Sequence, residues 1–94
     1  MSSTEEMNTA LRRHHEEIGA ILTSEDWTDA EKFVVKWQFG LLGDFRTALI
    51  RAITLADDRN LEQLALGFPD EVAGYRAWAY GGLGRRLREA GLGI

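Results

Sequence analysis

The sequence predicts an all-α fold, a compact bundle of about five short helices in a single domain spanning residues 1–94. Three observations support it. Apolar residues recur every three or four positions along most of the chain, which is the spacing of one helix face. Signals for helix starts recur at Ser3-Glu6, Thr28-Glu31, Asp44, Asp57-Asp58 and Pro69. Strand signals are almost absent, and the Val34-Val35 doublet lies inside a helical pattern.

The first helix is expected at about 4–23. Ser3 and Glu6 have capping-box spacing, in which each side chain satisfies the other's free backbone N–H. Met7, Leu11, His14, Ile18, Ile21 and Leu22 then form one stripe, with Arg12, Arg13, Glu16 and Glu17 opposite. The second helix, about 29–42, follows a second box at Thr28 and Glu31. Its expected buried stripe is Ala30, Phe33, Val34, Trp37 and Leu41, and Gly40 and Gly43 loosen its end. Asp44 is expected to cap a third helix, about 45–57, with an inward stripe of Phe45, Ala48, Leu49, Ala52, Ile53 and Ala56. Asp57 or Asp58 caps a short fourth helix, about 59–66, that buries Leu61, Leu64 and Ala65. Gly67 suits a left-handed C-cap. Pro69 opens the fifth helix, where a missing N–H is harmless, and Val72, Tyr75 and Ala79 or Trp78 face inward. A Gly81-Gly82-Leu83-Gly84 break and a basic turn at about 85–90 follow. Together they read as a flexible or weakly packed tail over about 81–94.

Ninety-four residues fit one domain, and a hydrophobic fraction of 45% is enough for a core. With no cysteine there are no disulfides or thiolate metal sites, which fits a reducing compartment. The polar N-terminus lacks the basic start and apolar run of a signal peptide, and no run of about 18 apolar residues suggests a membrane span. The cytoplasm of a bacterium or of a phage-infected cell is the expected location.

The formal net charge is -4, which argues against direct nucleic-acid binding through the phosphate backbone. Residues 1–47 carry nine acids against five bases, whereas residues 48–94 carry six of each. Much of this acidity has a structural explanation. Glu5, Glu6, Asp29, Glu31, Asp44, Asp57, Asp58, Asp70 and Glu71 all fall at expected helix N-termini, where carboxylates complement the helix dipole.

Catalytic and metal chemistry find little support. His14 and His15 are adjacent, so they point about 100° apart on a helix and cannot comfortably share one ion. Adding Glu16 or Glu17 gives at most two ligands, short of the three or four that zinc usually takes. Serines occur only at positions 2, 3 and 24, outside any nucleophile elbow. The glycines at 81, 82 and 84 followed by Arg85-Arg86 could form an anion-binding nest, but they lack the phosphate-loop pattern. No enzyme activity, cofactor or metal is expected.

The aromatic residues look like a surplus over what five short helices need. Candidate partner-binding residues are therefore Trp27, Phe39, Trp78 and Tyr80 as exposed anchors. Glu16, Glu17, Glu25, Asp26 and Asp29 form a candidate acidic face, and Arg85 and Arg86 are further candidates within a basic knot completed by Arg88.

From Gly43 onward the order of residues carries a resemblance. Gly43-Asp44-Phe45, Thr47-Ala48-Leu49, Ala52-Ile53, Ala56-Asp57, Asn60-Leu61, Leu64, Gly67-Phe68-Pro69 and Glu71-Val72 resemble a pattern in small uncharacterised proteins of bacteriophages, prophages and gut bacteria. The pattern covers roughly residues 40–76. It implies a context, a mobile-element protein acting inside an infected bacterium, and no chemistry.

The expectation is a non-enzymatic protein-binding module. It would inhibit or modulate a host protein complex, in the manner of anti-defence or anti-CRISPR proteins, through an acidic helical face and exposed aromatics. The alternative is a self-assembling homo-oligomer, structural or small-ligand-binding. A weak nucleic-acid binder using Arg85, Arg86 and Arg88 ranks below both.

Overall fold

The computed structural model describes residues 15–93, which form six helices and no strand. Helix α1 occupies 15–23, and α2 spans Asp29–Gln38. Then come α3 (Asp44–Leu55), α4 (Asp58–Gly67), α5 (Pro69–Tyr80) and α6 (Leu83–Glu89). The Ser3-Glu6 box, the stripe positions Met7, Leu11 and His14, and Arg12 and Arg13 lie outside the described residues.

Local chemistry sets most of the helix ends. The Glu31 N–H donates to Thr28 Oγ1 at 3.1 Å, and the Thr28 N–H donates to Glu31 Oε1 at 2.8 Å, completing the expected capping box. Helix α2 stops four residues earlier than expected because Gly40 turns left-handed at φ 68°. There the Gly40 N–H donates to Trp37 O and the Leu41 N–H to Lys36 O, the paired bonds of a Schellman motif. Leu41, expected in the buried stripe, thus falls past the helix and stays exposed.

Gly43 is the N-cap of α3, and Asp44 is its first helical residue, not its cap. Asp57 caps α4 by accepting the Asn60 N–H at 2.8 Å. Gly67 remains helical, so it is not the left-handed cap expected. Pro69 opens α5 as expected.

Two clusters make the core, and α2 is the wall between them. Val34 and Val35 face a cluster with Ile18 and Ile21 of α1, Leu83 and Leu87 of α6, and Leu92. Phe33 faces the other, with Leu49, Ile50 and Ile53 of α3, Leu61 of α4 and Val72 of α5. Trp37 packs against both. A helix covered on both sides buries more than one stripe, which is why Val35 is buried although it lies off the expected face.

Helix α5 touches α2, α3, α4 and α6, and its contact with α2 is the most extensive. Gly74 makes that contact close. A Cβ built on Gly74 would lie 2.4 Å from Ala30 O and 3.1 Å from Val34 Cγ2. The first is a backbone atom that cannot swing aside.

The weakly packed tail expected over 81–94 is corrected. Gly82, left-handed at φ 73°, reverses the chain directly into α6, which replaces the expected basic turn. Leu83, Leu87 and Leu92 are all buried, a contribution of about 1.5–3 kcal/mol each. A second Schellman motif closes the element, with Gly91 at φ 100° and its N–H donating to Arg88 O while Leu92 donates to Leu87 O. The helix count rises from five to six for this reason.

Gly74→Ala should destabilise the fold by about 1–3 kcal/mol, because the added methyl must push two backbones apart. Gly19→Ala is the matched control, since a Cβ there meets nothing within 4 Å. It should stabilise α1 by about 0.5–1 kcal/mol. Urea melts of the two variants check both signs.

Candidate functional site

The aromatic residues expected at the surface are mostly core. Trp27, Phe39 and Trp78 are half-buried and pack against the α1–α2–α6 cluster. Trp78 meets Trp37 edge-on, with ring centroids 6.2 Å apart and planes at 69°. Trp37 also packs on Tyr75 at 6.4 Å. The surplus disappears because α2 is sandwiched, so both of its sides need large side chains. Of the four expected anchors only Tyr80 is exposed, at 81%.

The acids divide into free and committed groups. Glu16, Glu25, Asp26 and Asp29 are exposed on α1, in the α1–α2 connection and on the first turn of α2. The connection is ordered locally by Ser24, whose Oγ accepts the Asp26 N–H at 3.1 Å. Glu17 departs from the expected acidic face. It turns inward against Gly91, where a Cβ would lie 3.1 Å from its carboxyl carbon. Its Oε2 is buried with no hydrogen-bond partner among the described residues.

Glu31 is the most committed acid. One oxygen accepts the Thr28 N–H, and the other pairs with Arg86 Nη1 at 2.7 Å. One carboxylate therefore starts α2 and holds α6 against it. Burial pushes the Glu31 carboxyl up from its ordinary value of 4.5; the Thr28 hydrogen bonds and the Arg86 charge outweigh that and hold it lower.

The basic knot splits as a result. Arg86 goes to Glu31, whereas Arg85 and Arg88 line a shallow depression with Trp78, Tyr80 and Gly84. Trp78, Tyr80 and Arg85 are thus the expected residues that the fold brings together. A second depression mixes Asp29, Asp70 and Glu71 with Lys32, Lys36 and Arg46, so its charges largely cancel. Among the described residues no three His, Cys, Asp or Glu side chains are grouped to hold a metal ion. No helix among them is long and apolar enough to cross a membrane.

The most distinct surface was not anticipated from the sequence. Helix α3 buries Leu49 and Ile53 of the expected stripe together with Ile50, so its buried face is rotated to one side of that stripe. Ala48, Ala52 and Leu55 point to solvent instead, Leu55 being 78% exposed; Phe45 meets Phe68 with ring centroids 5.8 Å apart and is otherwise 62% exposed. Their spacing of three, four and three residues is that of a helix-pairing seam. Beside the seam, an open groove of about 420 Å³ runs between α3 and α4, lined by Ala52, Leu55, Ala56, Asn60, Gln63 and Leu64. Leu66, 87% exposed on α4, adds a further large apolar side chain to the surface. A signal for this face does exist in the sequence: seven of the twelve α3 residues are apolar, too many for one contact stripe.

No family model, no curated protein and no solved structure matches the chain. Function must therefore be sought in its own surfaces.

The Glu31 network generates a pH test. A carboxyl held below its unfolded value contributes stability that is complete above about pH 4.5 and lost as pH falls through the folded value. Glu31→Gln should cost about 1 kcal/mol at pH 7, chiefly through the lost charge facing Arg86 and the helix N-terminus, since the glutamine oxygen can still accept the Thr28 N–H. Arg86→Ala should cost less than about 1 kcal/mol, because the arginine is half exposed and its charge is screened. Thermal melts from pH 7 to pH 3 should show the gap between wild type and Glu31→Gln closing as acid is added.

Proposed function

We propose that this chain is a protein-binding module without catalytic chemistry of its own, and that the outward seam of α3 is its docking face. The observation that carries this is the exposure of Phe45 and Leu55 on a helix already packed through its other side. Within the fold Phe45 gains only its ring contact with Phe68, and Leu55 is left in water. Grouped in a row beside a groove, they are the usual mark of an interface. The seam spacing suits a partner that presents a helix, whose side chains would interleave with Phe45, Ala48, Ala52 and Leu55.

In its narrower form the proposal takes the partner to be a host protein complex and the chain to be an inhibitor or modulator encoded by a phage or other mobile element. The exposed Glu16, Glu25, Asp26 and Asp29 support that form. Clustered surface acids raise the association rate with a basic partner surface such as one built for nucleic acid. Their contribution would be to steering, and that of the α3 seam to holding.

The two surfaces should separate by experiment. Phe45→Glu combined with Leu55→Glu should abolish retention of the partner by the tagged chain in bacterial lysate. The melting temperature should fall by no more than a few degrees, since both side chains are largely exposed and the loss within the fold is confined to the Phe45–Phe68 ring contact. Charge reversal of Glu16, Glu25, Asp26 and Asp29 should slow association and flatten its salt dependence, with a smaller effect on dissociation. A partner retained equally by wild type and the α3 double variant would overturn the α3 face as the docking site.

A further inference from the structure

The α3 face and the groove beside it also specify what fits them. We propose that the occupant of the α3 seam is the α3 helix of a second copy of this chain, packed antiparallel about a twofold axis near Ile50. This deepens the docking-face proposal and rests on it; self-pairing as weak as this gives way to a partner helix that binds the same seam more tightly.

The first argument is the order of sizes along the seam. Phe45, Ala48, Ala52 and Leu55 run large, small, small, large, with symmetric gaps of three, four and three. A twofold axis across such a row sets Phe45 opposite the second copy's Leu55 and Ala48 opposite its Ala52. Every seam residue then meets a seam residue, as an isologous contact requires. The two small layers at the centre let the helix backbones approach closely, and the large layers close the ends. The row reads the same in either arrangement of sizes, so the choice of antiparallel pairing rests on the flanking charges and the helix dipoles.

The groove supplies the second argument. Opposite Leu55, the incoming Phe45 ring reaches the space between α3 and α4, lined by Ala52, Leu55, Ala56 and Leu64. Apolar atoms dominate that stretch, and no side chain among the described residues fills it.

Charge supplies the third. Asp44 and Arg51 flank the seam on one side, and both are exposed. With a rise of about 1.5 Å per residue, antiparallel pairing brings Arg51 of each copy to about 8 Å along the axis from Asp44 of the other, within reach of the long arginine side chain. Parallel pairing about a twofold would put the two Asp44–Arg51 flanks on opposite sides of the seam, where they could not pair with each other. The opposed helix dipoles also favour the antiparallel arrangement.

The face is small. Four seam positions and one groove cover on the order of half the ~800 Å² per partner of a standard interface. The dimer is therefore reversible and concentration-dependent, with dissociation in the micromolar range or weaker.

The chain has no cysteine, so single-cysteine variants report register cleanly. Ala48→Cys and Ala52→Cys, mixed and mildly oxidised, should form the mixed disulfide at least about tenfold faster than either forms its own, since only the mixed pair faces across the axis. Sedimentation of the wild type from low-micromolar to near-millimolar concentration should show a shift from monomer to dimer. Ala52→Glu should weaken that dimer by on the order of tenfold or more while circular dichroism stays unchanged. Faster crosslinking within Ala48→Cys alone and Ala52→Cys alone would overturn the antiparallel arrangement. A dimer indifferent to Ala52→Glu would place the interface elsewhere. A wild type that stays monomeric throughout overturns self-pairing; if Phe45→Glu still abolishes retention of another protein, the docking face stands with a different occupant, and if it does not, both proposals fall together.

Discussion

At Gly74 the backbones of α2 and α5 meet with no room for a methyl group between them. Much of the molecule follows from that approach. With α5 pressed against it, α2 becomes the wall between two small clusters, neither of which a chain of this size could sustain alone. Phe33 serves one side, Val34 and Val35 the other, and Trp37 bridges both. Because α5 also contacts α3, α4 and α6, the α2–α5 crossing sets where those three helices can lie. A side chain at position 74 would loosen this whole arrangement.

The second tie is electrostatic and works at the end of α2. Glu31 is buried, and a buried carboxylate is costly unless its oxygens are satisfied. Thr28 satisfies one and Arg86 the other. The cap of α2 and the position of α6 are therefore one interaction. Leu83, Leu87 and Leu92 complete the attachment from the apolar side, and Gly91 ends the helix so that Leu92 can fold back onto it. What read as a loose basic tail is held at both its polar and its apolar surfaces.

The features legible in the sequence are those decided by a few neighbouring residues. Thr28 with Glu31, Asp57 ahead of α4 and Pro69 at the start of α5 each act within one turn, so spacing alone reveals them. Burial is decided by distant neighbours, and there sequence reasoning was weaker. Trp27, Phe39 and Trp78 looked surplus when each helix was granted one buried face; they are needed once α2 is covered on both sides. Helix α3 is apolar around most of its circumference, so its pattern permits two faces about equally. The choice of Leu49, Ile50 and Ile53 over Phe45, Ala48 and Ala52 is made by where α5 lies, which no local signal encodes. Tyr80, Arg85 and Trp78 stand out in the sequence for separate reasons, and the left-handed turn at Gly82 brings them to one depression.

The same choice explains why the interaction surface lies on α3. A helix that is apolar on two sides is a poor solution for a monomer, because the outward side adds solvent-exposed apolar area without adding to the core. Covering that side would also feed back on the fold. Anything that binds only the folded chain shifts the folding equilibrium towards it, by an amount set by the ratio of partner concentration to dissociation constant. With a core divided into two small clusters, such a gain is a substantial fraction of the whole. Stability and recognition then share one helix: Leu49, Ile50 and Ile53 hold α3 in place, and Phe45, Ala48, Ala52 and Leu55 present it. The acids at Glu25, Asp26 and Asp29 sit apart from this face, on the connection into α2 and its first turn. A surface that attracts a partner through charge and a surface that retains one through apolar contact can therefore be altered independently.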